Sequence, residues 1–329
     1  MSFKALIVEK PEDGALITTL KTLNDDILKN GDVAVSVEWS SVNYKDGLAM
    51  TGAAPIIQSF PLIPGIDLAG TVIASGSADH RVGDRVVVNG WEMSQSHHGG
   101  LAQRARVPGE WLVRLPDAIS TRDAMAIGTA GYTAMLCVLA LEYGGVGPSR
   151  GGVLVTGVSG GVGSIATVIL AKLGYRVVVS TGRPEEEDYL RALGAAEIIN
   201  RASLSAAAGS VGPERWAGAV DTVGSHTLVN VLAQTAYRGV VAACGLAQGI
   251  DLPGTVLPFI LRSVTLAGID SVNAPQDLRQ LAWTRLADDL DLGKLATTIT
   301  EVELAQAPEV ARAVLQGKVR GRTVVNVNR

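Results

Sequence analysis

The sequence predicts an α/β protein in which a doubly wound domain with a parallel sheet is inserted into a smaller, mostly β domain. The chain has 329 residues, more than one hydrophobic core usually organises. Up to about residue 113 it consists of short β-like segments, whereas from about residue 121 helical and strand-like segments alternate. After about residue 295 the pattern returns to strand, helix and strand. We therefore expect both ends of the chain to form one domain around the insertion.

The amino-terminal part carries the β pattern. The first strand is predicted at residues 1–9, and further strands at 33–37, 70–74 and 85–88, the last after the turn Gly83-Asp84. With the carboxyl-terminal segment these strands form the mostly β domain, which we expect to comprise residues 1–122 and 296–329.

The inserted domain, expected over residues 123–295, begins its clearest unit at a buried strand, 153–156. A glycine-rich turn and a helix over 164–173 follow, and Gly174 is placed to end that helix. Pro184 is placed to begin the next helix and Gly194 to end it. The remaining strands predicted in this domain are 176–179, 197–199, 219–221, 240–243 and 265–268. In the carboxyl-terminal segment that returns to the mostly β domain, a helix is predicted at 304–315 and a strand at 322–327.

Composition excludes several classes of function. The net charge of −4 gives no basic field for nucleic acid, and no uninterrupted apolar stretch approaches the ~20 residues that span a bilayer. The two cysteines, Cys137 and Cys244, cannot build a disulfide framework or a cysteine zinc site, and the adjacent His97 and His98 are poor candidates for one metal. We expect a metal-free cytoplasmic protein without nucleic-acid or membrane partners.

The glycine-rich turn predicts a dinucleotide site. Glycines at 157, 160 and 163 stand between a predicted strand and a predicted helix, the context in which such a turn binds a pyrophosphate at the helix N-terminus. The alternative is a turn with a structural role only. A Rossmann-type domain is the resulting prediction, and the candidate pyrophosphate-binding residues are Gly157, Ser159, Gly160, Gly161, Val162 and Gly163.

The end of the second strand indicates which dinucleotide is bound. An acid that binds the ribose hydroxyls of NAD is expected about 20 residues after the glycines. This chain has Ser180, Thr181, Gly182 and Arg183 there, so two hydroxyls and a cation are available to a 2′-phosphate. NADPH is therefore the predicted cofactor. The alternative is that Arg183 only pairs with an acid among residues 185–187.

Longer motifs resemble a known family. The segments 39–46 (WSSVNYKD), 60–70 (FPLIPGIDLAG) and 128–137 (GTAGYTAMLC) are similar to the medium-chain dehydrogenase/reductase superfamily. Segments 241–247 (VAACGLA) and 268–272 (GIDSV) also fit. Cysteine and histidine zinc ligands of that superfamily are missing at 41–46 and 65–67, so the chain resembles its zinc-free quinone and enoyl reductase branch, and within it the acrylyl-CoA reductase group.

The resemblance implies a GroES-like catalytic domain, a Rossmann domain, and reduction of the C=C bond of acrylyl-CoA by NADPH. The expected partners are an acyl-CoA thioester and, through the strand around Leu266, a second subunit of a homodimer. Alternatives are an NADPH:quinone oxidoreductase and a non-catalytic NADPH-binding sensor or structural protein. The cofactor-binding positions that the resemblance adds are Tyr44, Thr129, Cys244, Gly245, Ile269, Ser271 and Arg322.

Tyr44 is the candidate catalytic residue. Hydride addition to the β-carbon of an acrylyl thioester leaves an enolate that needs a hydrogen-bond donor and a proton, and a neutral phenol can supply both. The alternative is that Tyr44 packs against the nicotinamide ribose while water supplies the proton. Thr129 has the alternative role of a helix N-cap. The basic tail residues Lys318, Arg320 and Arg322 are candidates for the CoA phosphates.

Overall fold

The computed structural model describes residues 1–12, 14–28, 31–207, 209 and 211–329. Within these ranges the strands are β1 (Ser2–Glu9), β2 (Ile17–Asn24), β3 (Val33–Val42), β4 (Asp67–Ser75), β5 (Arg85–Asn89), β6 (Arg104–Val107), β7 (Val113–Arg114), β8 (Val153–Val155), β9 (Val177–Thr181), β10 (Glu197–Asn200), β11 (Trp216–Asp221), β12 (Thr235–Ala243), β13 (Thr265–Gly268), β14 (Ile299–Glu303) and β15 (Arg322–Asn326). The α-helices are α1 (Tyr44–Thr51), α2 (Thr121–Tyr143), α3 (Gly161–Lys172), α4 (Glu187–Leu193), α5 (Ala202–Ser205), α6 (Ser225–Ala233), α7 (Leu257–Arg262), α8 (Gln276–Asp289), α9 (Leu292–Ala296) and α10 (Ala307–Leu315).

The predicted parallel sheet is confirmed. Its six strands lie in the order β10-β9-β8-β11-β12-β13, and every neighbouring pair is parallel. This is the strand order of a Rossmann domain, in which the order reverses beside the first strand. Strands β8 and β9 are buried throughout, as parallel strands covered on both faces must be. The sheet therefore brings the end of β8, where the glycine-rich turn begins, to the reversal point between β8 and β11.

Helix boundaries in this domain differ from the sequence prediction in two places. Helix α3 begins at Gly161 rather than at residue 164, because the last glycines of the turn already form its first turn. Pro184 begins a 3₁₀ turn, Pro184–Glu186, and α4 follows it. Gly194 ends α4 at a φ of 118°, a left-handed conformation that glycine adopts without strain.

The mostly β domain is also confirmed. A seven-stranded sheet has the order β14-β15-β3-β4-β5-β7 with β6 paired to β3, and β1 and β2 form an antiparallel hairpin. The carboxyl-terminal strand β15 pairs antiparallel with β3, so the tail joins the amino-terminal domain as the sequence predicted. Alternate residues of β3, Val33, Val35 and Val37, are fully buried in its core.

The chain divides into two compact units: residues 1–129, 271–287 and 298–329 form one, and 130–270 with 288–297 form the other. We predicted divisions after residues 122 and 295, so the largest difference is the segment 271–287. Side chains of α8 explain it. Arg279 donates to the Asn89 carbonyl at 2.6 Å, Trp283 Nε1 to Asn89 Oδ1 at 3.2 Å, and Gln276 Nε2 to the Leu112 carbonyl at 2.6 Å.

Helix α2 is long and apolar enough to span a membrane by length and composition alone, which the sequence analysis did not anticipate. Its most apolar 18-residue stretch is 89% buried inside the protein, so it is a core helix. Gly128 interrupts its backbone at φ 50° and ψ −162°.

Candidate active site

Tyr44 is the first residue of α1, and its place is fixed by the cap that precedes it. Asn43 is the N-cap: its backbone N–H donates to Asp46 Oδ2 at 2.8 Å, and the two residues form a reciprocal capping box. The side chain of Asn43 is buried, whereas Tyr44 is 46% exposed. The fold thus presents a phenol from a rigidly capped helix end.

Beneath this helix end, the carboxylate of Asp67 is the centre of a buried polar network. It is fully buried and accepts hydrogen bonds from four residues. The donors to Oδ2 are Ser41 Oγ at 2.6 Å, Asn43 Nδ2 at 2.7 Å and the Thr129 N–H at 2.9 Å, and those to Oδ1 are Thr129 Oγ1 at 2.6 Å and Asn89 Nδ2 at 2.7 Å. Five donors on one carboxylate satisfy its acceptor capacity, as burial of a charge requires.

Thr129 is therefore held by Asp67 through both its backbone and its hydroxyl. Its hydroxyl proton is donated to Asp67, so toward any other group this oxygen can act only as an acceptor. Gly128, the residue before it, lies against the same groups. A Cβ at Gly128 would collide with Nη2 of Arg322 and lie 2.7 Å from Asp67 Oδ2. Only glycine fits here.

Arg322 completes the network. Its guanidinium donates to the carbonyls of Ala126 at 2.9 Å and Met125 at 3.4 Å, to Asn43 Oδ1 at 3.1 Å and to Ser41 Oγ at 3.0 Å. The residue is 3% exposed. This enclosure supports a role in holding Asn43 and Asp67 in place, and it leaves no exposed surface for the phosphate contact that the sequence analysis considered.

The network holds two acids, Asp67 and Asp46, and one arginine, and the pKa of Asp46 is shifted by burial and by the second acid. Burial, and secondarily the charge of Asp67, raise the pKa of Asp46 to about 7 from its ordinary value of 3.8, although N–H donors from Asn43 and Ile66 oppose the rise. Burial also lowers the pKa of Arg322, against the pull of Asp67 and Asp46. Asp46 is therefore close to half-ionised at neutral pH.

In the other unit, the glycine-rich turn has the backbone geometry of a phosphate site. Gly157 has φ 59°, and a Cβ at Gly163 would stand 2.5 Å from the Gly157 carbonyl oxygen, so both positions require glycine. Gly160 caps α3, and the residues from Ser159 to Val162 are partly exposed. The turn therefore presents helix-end N–H groups to solvent, which suits the pyrophosphate of a dinucleotide.

Asp221 fixes the turn to the sheet. At the end of β11 it accepts from Thr156 Oγ1 at 2.7 Å and from the Gly224 N–H at 2.8 Å. Burial raises the pKa of its carboxyl. Its carbonyl accepts from the Cys244 N–H at 2.9 Å. These bonds place Asp221 in the framework rather than in the chemistry.

The segment after β9 contains the predicted 2′-phosphate residues. Ser180 and Thr181 are buried, and Thr181 Oγ1 accepts from the Arg183 N–H at 3.0 Å. The Arg183 side chain is 39% exposed and forms an ion pair of 3.2 Å with Glu186. The alternative pairing that the sequence raised is thus present.

Sequence reasoning missed Arg201 at this place. Its N–H donates to the Thr181 carbonyl at 2.9 Å, and its guanidinium lies over Gly182, with Cζ 2.9 Å from where a Cβ would stand. The residue is exposed. A second cation thus lies beside the segment 180–183. Arg201 follows the next strand, β10, and the spacing of a dinucleotide motif does not predict a cofactor residue there.

The remaining predicted cofactor residues lie at strand ends. Cys244 and Gly245 follow β12, and the backbone of Gly245 is so close to Thr222 that a Cβ would overlap it. Ile269 follows β13, and its N–H donates to the Ala243 carbonyl at 3.0 Å. Ser271 belongs to the first unit, where its carbonyl accepts from Arg279 Nη2 at 3.2 Å.

The histidines at 97 and 98 have structural contacts. His98 Nδ1 accepts from the Ile63 N–H at 3.1 Å, and its Nε2 lies 3.0 Å from the Ile27 carbonyl oxygen. His97 packs edge-on against Trp111. Among the residues described, no group of three or more histidine, cysteine or acidic side chains could hold a metal ion.

Comparison with known proteins places this geometry in a family. The Alcohol dehydrogenase GroES-like domain matches residues 29–117, and the Zinc-binding dehydrogenase family matches residues 161–288. The probable acrylyl-CoA reductase AcuI of Escherichia coli is 49% identical over 325 residues, 99% of this chain and 100% of the relative. The acrylyl-CoA reductase AcuI of Ruegeria pomeroyi is 48% identical over 328 residues, 99% of each chain. The chain belongs to the medium-chain dehydrogenase/reductase superfamily, in the group of the AcuI and YhdH proteins.

Solved structures of this superfamily agree. The YhdH oxidoreductase of Salmonella enterica, in complex with NADP, superposes with a TM-score of 0.96 at 51% identity and covers 99% of this chain and 100% of its own. The YhfP protein of Bacillus subtilis, solved with NAD bound, also gives 0.96, at 43% identity, and covers 99% of this chain and 100% of its own.

Proposed function

We propose that this chain is an NADPH-dependent reductase that converts acrylyl-CoA to propanoyl-CoA. The observation that carries the proposal is the full-length identity of nearly half with two acrylyl-CoA reductases named AcuI. The glycine-rich turn and the cations beside Gly182 support the cofactor, since they supply backbone donors for a pyrophosphate and charge for a 2′-phosphate.

NADPH is the source of the hydride. We assign the pyrophosphate to the turn from Gly157 to Gly163 and the 2′-phosphate to the segment from Ser180 to Arg183 and to Arg201. Ser180 and Thr181 are buried and Thr181 binds the backbone of Arg183, so Arg183 and Arg201 are the side chains that a phosphate would contact. No carboxylate follows β9 directly at 182, where NAD-specific domains place an acid for the ribose hydroxyls. Glu186, further along, is turned toward Arg183 and Ser159. We further propose that Cys244, Gly245, Ile269, Ser271 and Thr129 contribute backbone or side-chain surface to the cofactor.

The reaction leaves negative charge on the thioester oxygen and requires a proton at the α-carbon. Tyr44 is our candidate for stabilising the enolate or supplying that proton, because its half-exposed phenol is carried on a helix end fixed by Asn43 and Asp46. The rigid support matters because a donor aimed in advance loses no free energy to reorganisation during the reaction. Arg322 and Asp67 then act as positioning residues for Asn43.

A quinone oxidoreductase activity is the second candidate. The relative named putative quinone oxidoreductase YhfP from Bacillus subtilis is 44% identical over 327 residues, 99% of each chain. Quinones lack the CoA phosphates, so an enzyme built for them gains nothing from cations outside the cofactor site. Dependence of the rate on the CoA portion separates the two.

The test is steady-state oxidation of NADPH with acrylyl-CoA, crotonyl-CoA and a benzoquinone, and with acrylyl-N-acetylcysteamine, which carries the same alkene without the nucleotide. We expect the highest kcat/KM for acrylyl-CoA and a much lower one for the truncated thioester. A benzoquinone turned over faster than every thioester would establish the second candidate. No oxidation with any acceptor would support a non-catalytic protein.

We also propose a cytoplasmic homodimer. Strand β13 is an outer strand of the six-stranded sheet. Among the described residues no strand pairs with its outer side, which can extend the sheet into a second copy. Val256, Ile260 and Leu261, which precede β13 in the sequence, are exposed apolar side chains, and their burial against a second copy would be favourable. Light scattering of the purified chain measures the oligomeric state, and Leu266→Lys on β13 should shift it toward the monomer.

A further inference from the structure

Glu186 is a buried acid at a site assigned to phosphates. It is 7% exposed, while its neighbours Glu185 and Glu187 are exposed. One oxygen accepts from Arg183 Nη1 at 3.2 Å, and the other accepts from the hydroxyl of Ser159. A single carboxylate thus bridges the glycine-rich turn and the segment after β9.

The two donors that it holds, Ser159 and Arg183, are among the side chains assigned to the phosphates of the cofactor. Ser159 has one hydroxyl proton, and it is donated to Glu186. The guanidinium of Arg183 shares its positive charge with the same carboxylate. Carboxylates and phosphates are alternative partners for the same donors, because both are anions with several acceptor oxygens.

We infer that Glu186 is a specificity-determining residue that competes with the phosphates of NADPH for Arg183 and Ser159. The inference rests on the proposed assignment of these two residues to the cofactor. Glu186 accepts a hydrogen bond from each of these two side chains and offsets the positive charge of Arg183. Binding of NADPH exchanges the carboxylate for phosphate oxygens, so the negative charge of Glu186 weakens binding and reduces the preference for NADPH over NADH.

The charge acts mainly on NADPH. A 2′-phosphate brings about two negative charges to Arg183, whereas the ribose hydroxyls of NADH bring none. Removal of the Glu186 charge relieves repulsion of the phosphate and leaves Arg183 with its full positive charge. NADH carries the same pyrophosphate, so for NADH the effect is limited to the glycine-rich turn, where the Ser159 hydroxyl is released and repulsion of the pyrophosphate is reduced.

Glu186→Gln tests this, because glutamine has nearly the same shape and no charge. The dissociation constants of NADPH and NADH are measured by fluorescence titration without an acyl substrate. We expect NADPH to bind about three- to tenfold more tightly, the range for a partly buried charge pair, and NADH to change by less than about twofold. Glu185→Gln is the matched control. It removes the same charge from an exposed side chain one residue earlier in the chain, and the dissociation constants of NADPH and NADH should each stay within about twofold of the wild type.

Unchanged or weaker NADPH binding in Glu186→Gln overturns the inference, since it makes Glu186 a support for Arg183 rather than its competitor. Glu186→Ala, measured in parallel, gives the answer if the glutamine variant does not fold, because Glu186 makes no side-chain cap hydrogen bond to α4 and alanine also removes the charge. Arg183→Ala distinguishes the assignment of Arg183 to the 2′-phosphate from the competition by Glu186. If it weakens NADPH and NADH equally, the assignment of Arg183 fails, and the competition fails with it. If it weakens NADPH selectively, the assignment stands whatever Glu186→Gln shows.

Discussion

Asp67→Asn tests the buried network beneath Tyr44 most directly. The variant keeps the shape of the side chain and replaces one oxygen with an amide donor. At either position the new NH₂ faces a nitrogen donor: Asn89 Nδ2 at Oδ1, or Asn43 Nδ2 and the Thr129 N–H at Oδ2. The hydroxyls of Ser41 and Thr129 can rotate to accept. The Thr129 N–H cannot reverse, and a flip of the Asn89 or Asn43 amide would give up the hydrogen bond that its oxygen accepts from Trp283 or Arg322.

The magnitude follows from these contacts. Hydrogen bonds to a charged acceptor contribute about 1.5–3 kcal/mol each and neutral ones about 1, so the loss of charge over several bonds and one donor left without an acceptor costs about 4 kcal/mol. This cost is consistent with the 3–5 kcal/mol typical of removing one of two buried opposite charges, since the charge of Asp67 interacts with that of Arg322. It is a large fraction of the 5–15 kcal/mol that stabilises a folded domain.

Urea unfolding followed by tryptophan fluorescence is a suitable assay. Four of the five tryptophans, at 39, 91, 111 and 283, lie in the unit that contains Asp67. We expect the unfolding midpoint of that unit to fall strongly in Asp67→Asn and to stay unchanged in Asp79→Asn, the same substitution at an exposed aspartate. A loss of less than about 1 kcal/mol would refute the reasoning, because the five donors must then be satisfied without the charge.

Three further predictions concern Asp46, Tyr44 and metals. Because the pKa of Asp46 is raised in the folded protein, its contribution to stability is present below pH about 4 and is lost as the pH rises to about 7. Over that pH range, the unfolding free energy of the wild type minus that of Asp46→Asn should therefore fall by about 4 kcal/mol. Tyr44→Phe should lower kcat about 10–100-fold with little change in the KM for NADPH; a shift confined to NADPH binding would instead make Tyr44 a support for the nicotinamide. Exhaustive chelation should leave the rate unchanged, and inactivation that zinc reverses would contradict the donor inventory.

Much of the fold could be predicted because its patterns are local. The alternation after residue 153 predicts a parallel sheet, and each glycine that ends a helix marks its own boundary. The segment 271–287 could not be assigned to its unit in this way. Its helix has the same pattern whichever core it joins, and the contacts of Arg279, Gln276 and Trp283 that decide the matter are long-range.

The candidate site was predictable to the same extent. The turn at 157–163 is a contiguous motif, so its residues were named from spacing alone. Arg201 was not, because it follows β10 and comes beside Gly182 only through the pairing of β10 with β9, which exists only after folding. The network of Asp67, Asn43, Ser41 and Arg322 joins positions up to 281 residues apart. A sequence shows the types of these residues but not which of them share a proton or a charge.

Burial separates the arginines that the sequence could not tell apart. Arg322 and Arg183 were both candidates for a phosphate, and both have acidic neighbours. Arg322 is 3% exposed, and its four hydrogen-bond partners are protein atoms on two separate segments, 41–43 and 125–126, so a ligand could reach it only by dismantling the network. Arg183 is 39% exposed and has in Glu186 a partner that a stronger anion can displace. The buried charges of Arg322, Asp67 and Asp46 are therefore part of the framework, whereas the pair of Arg183 and Glu186 is exchangeable. Removal of the charge of Asp67 should accordingly destabilise the protein, and removal of the charge of Glu186 should improve NADPH binding.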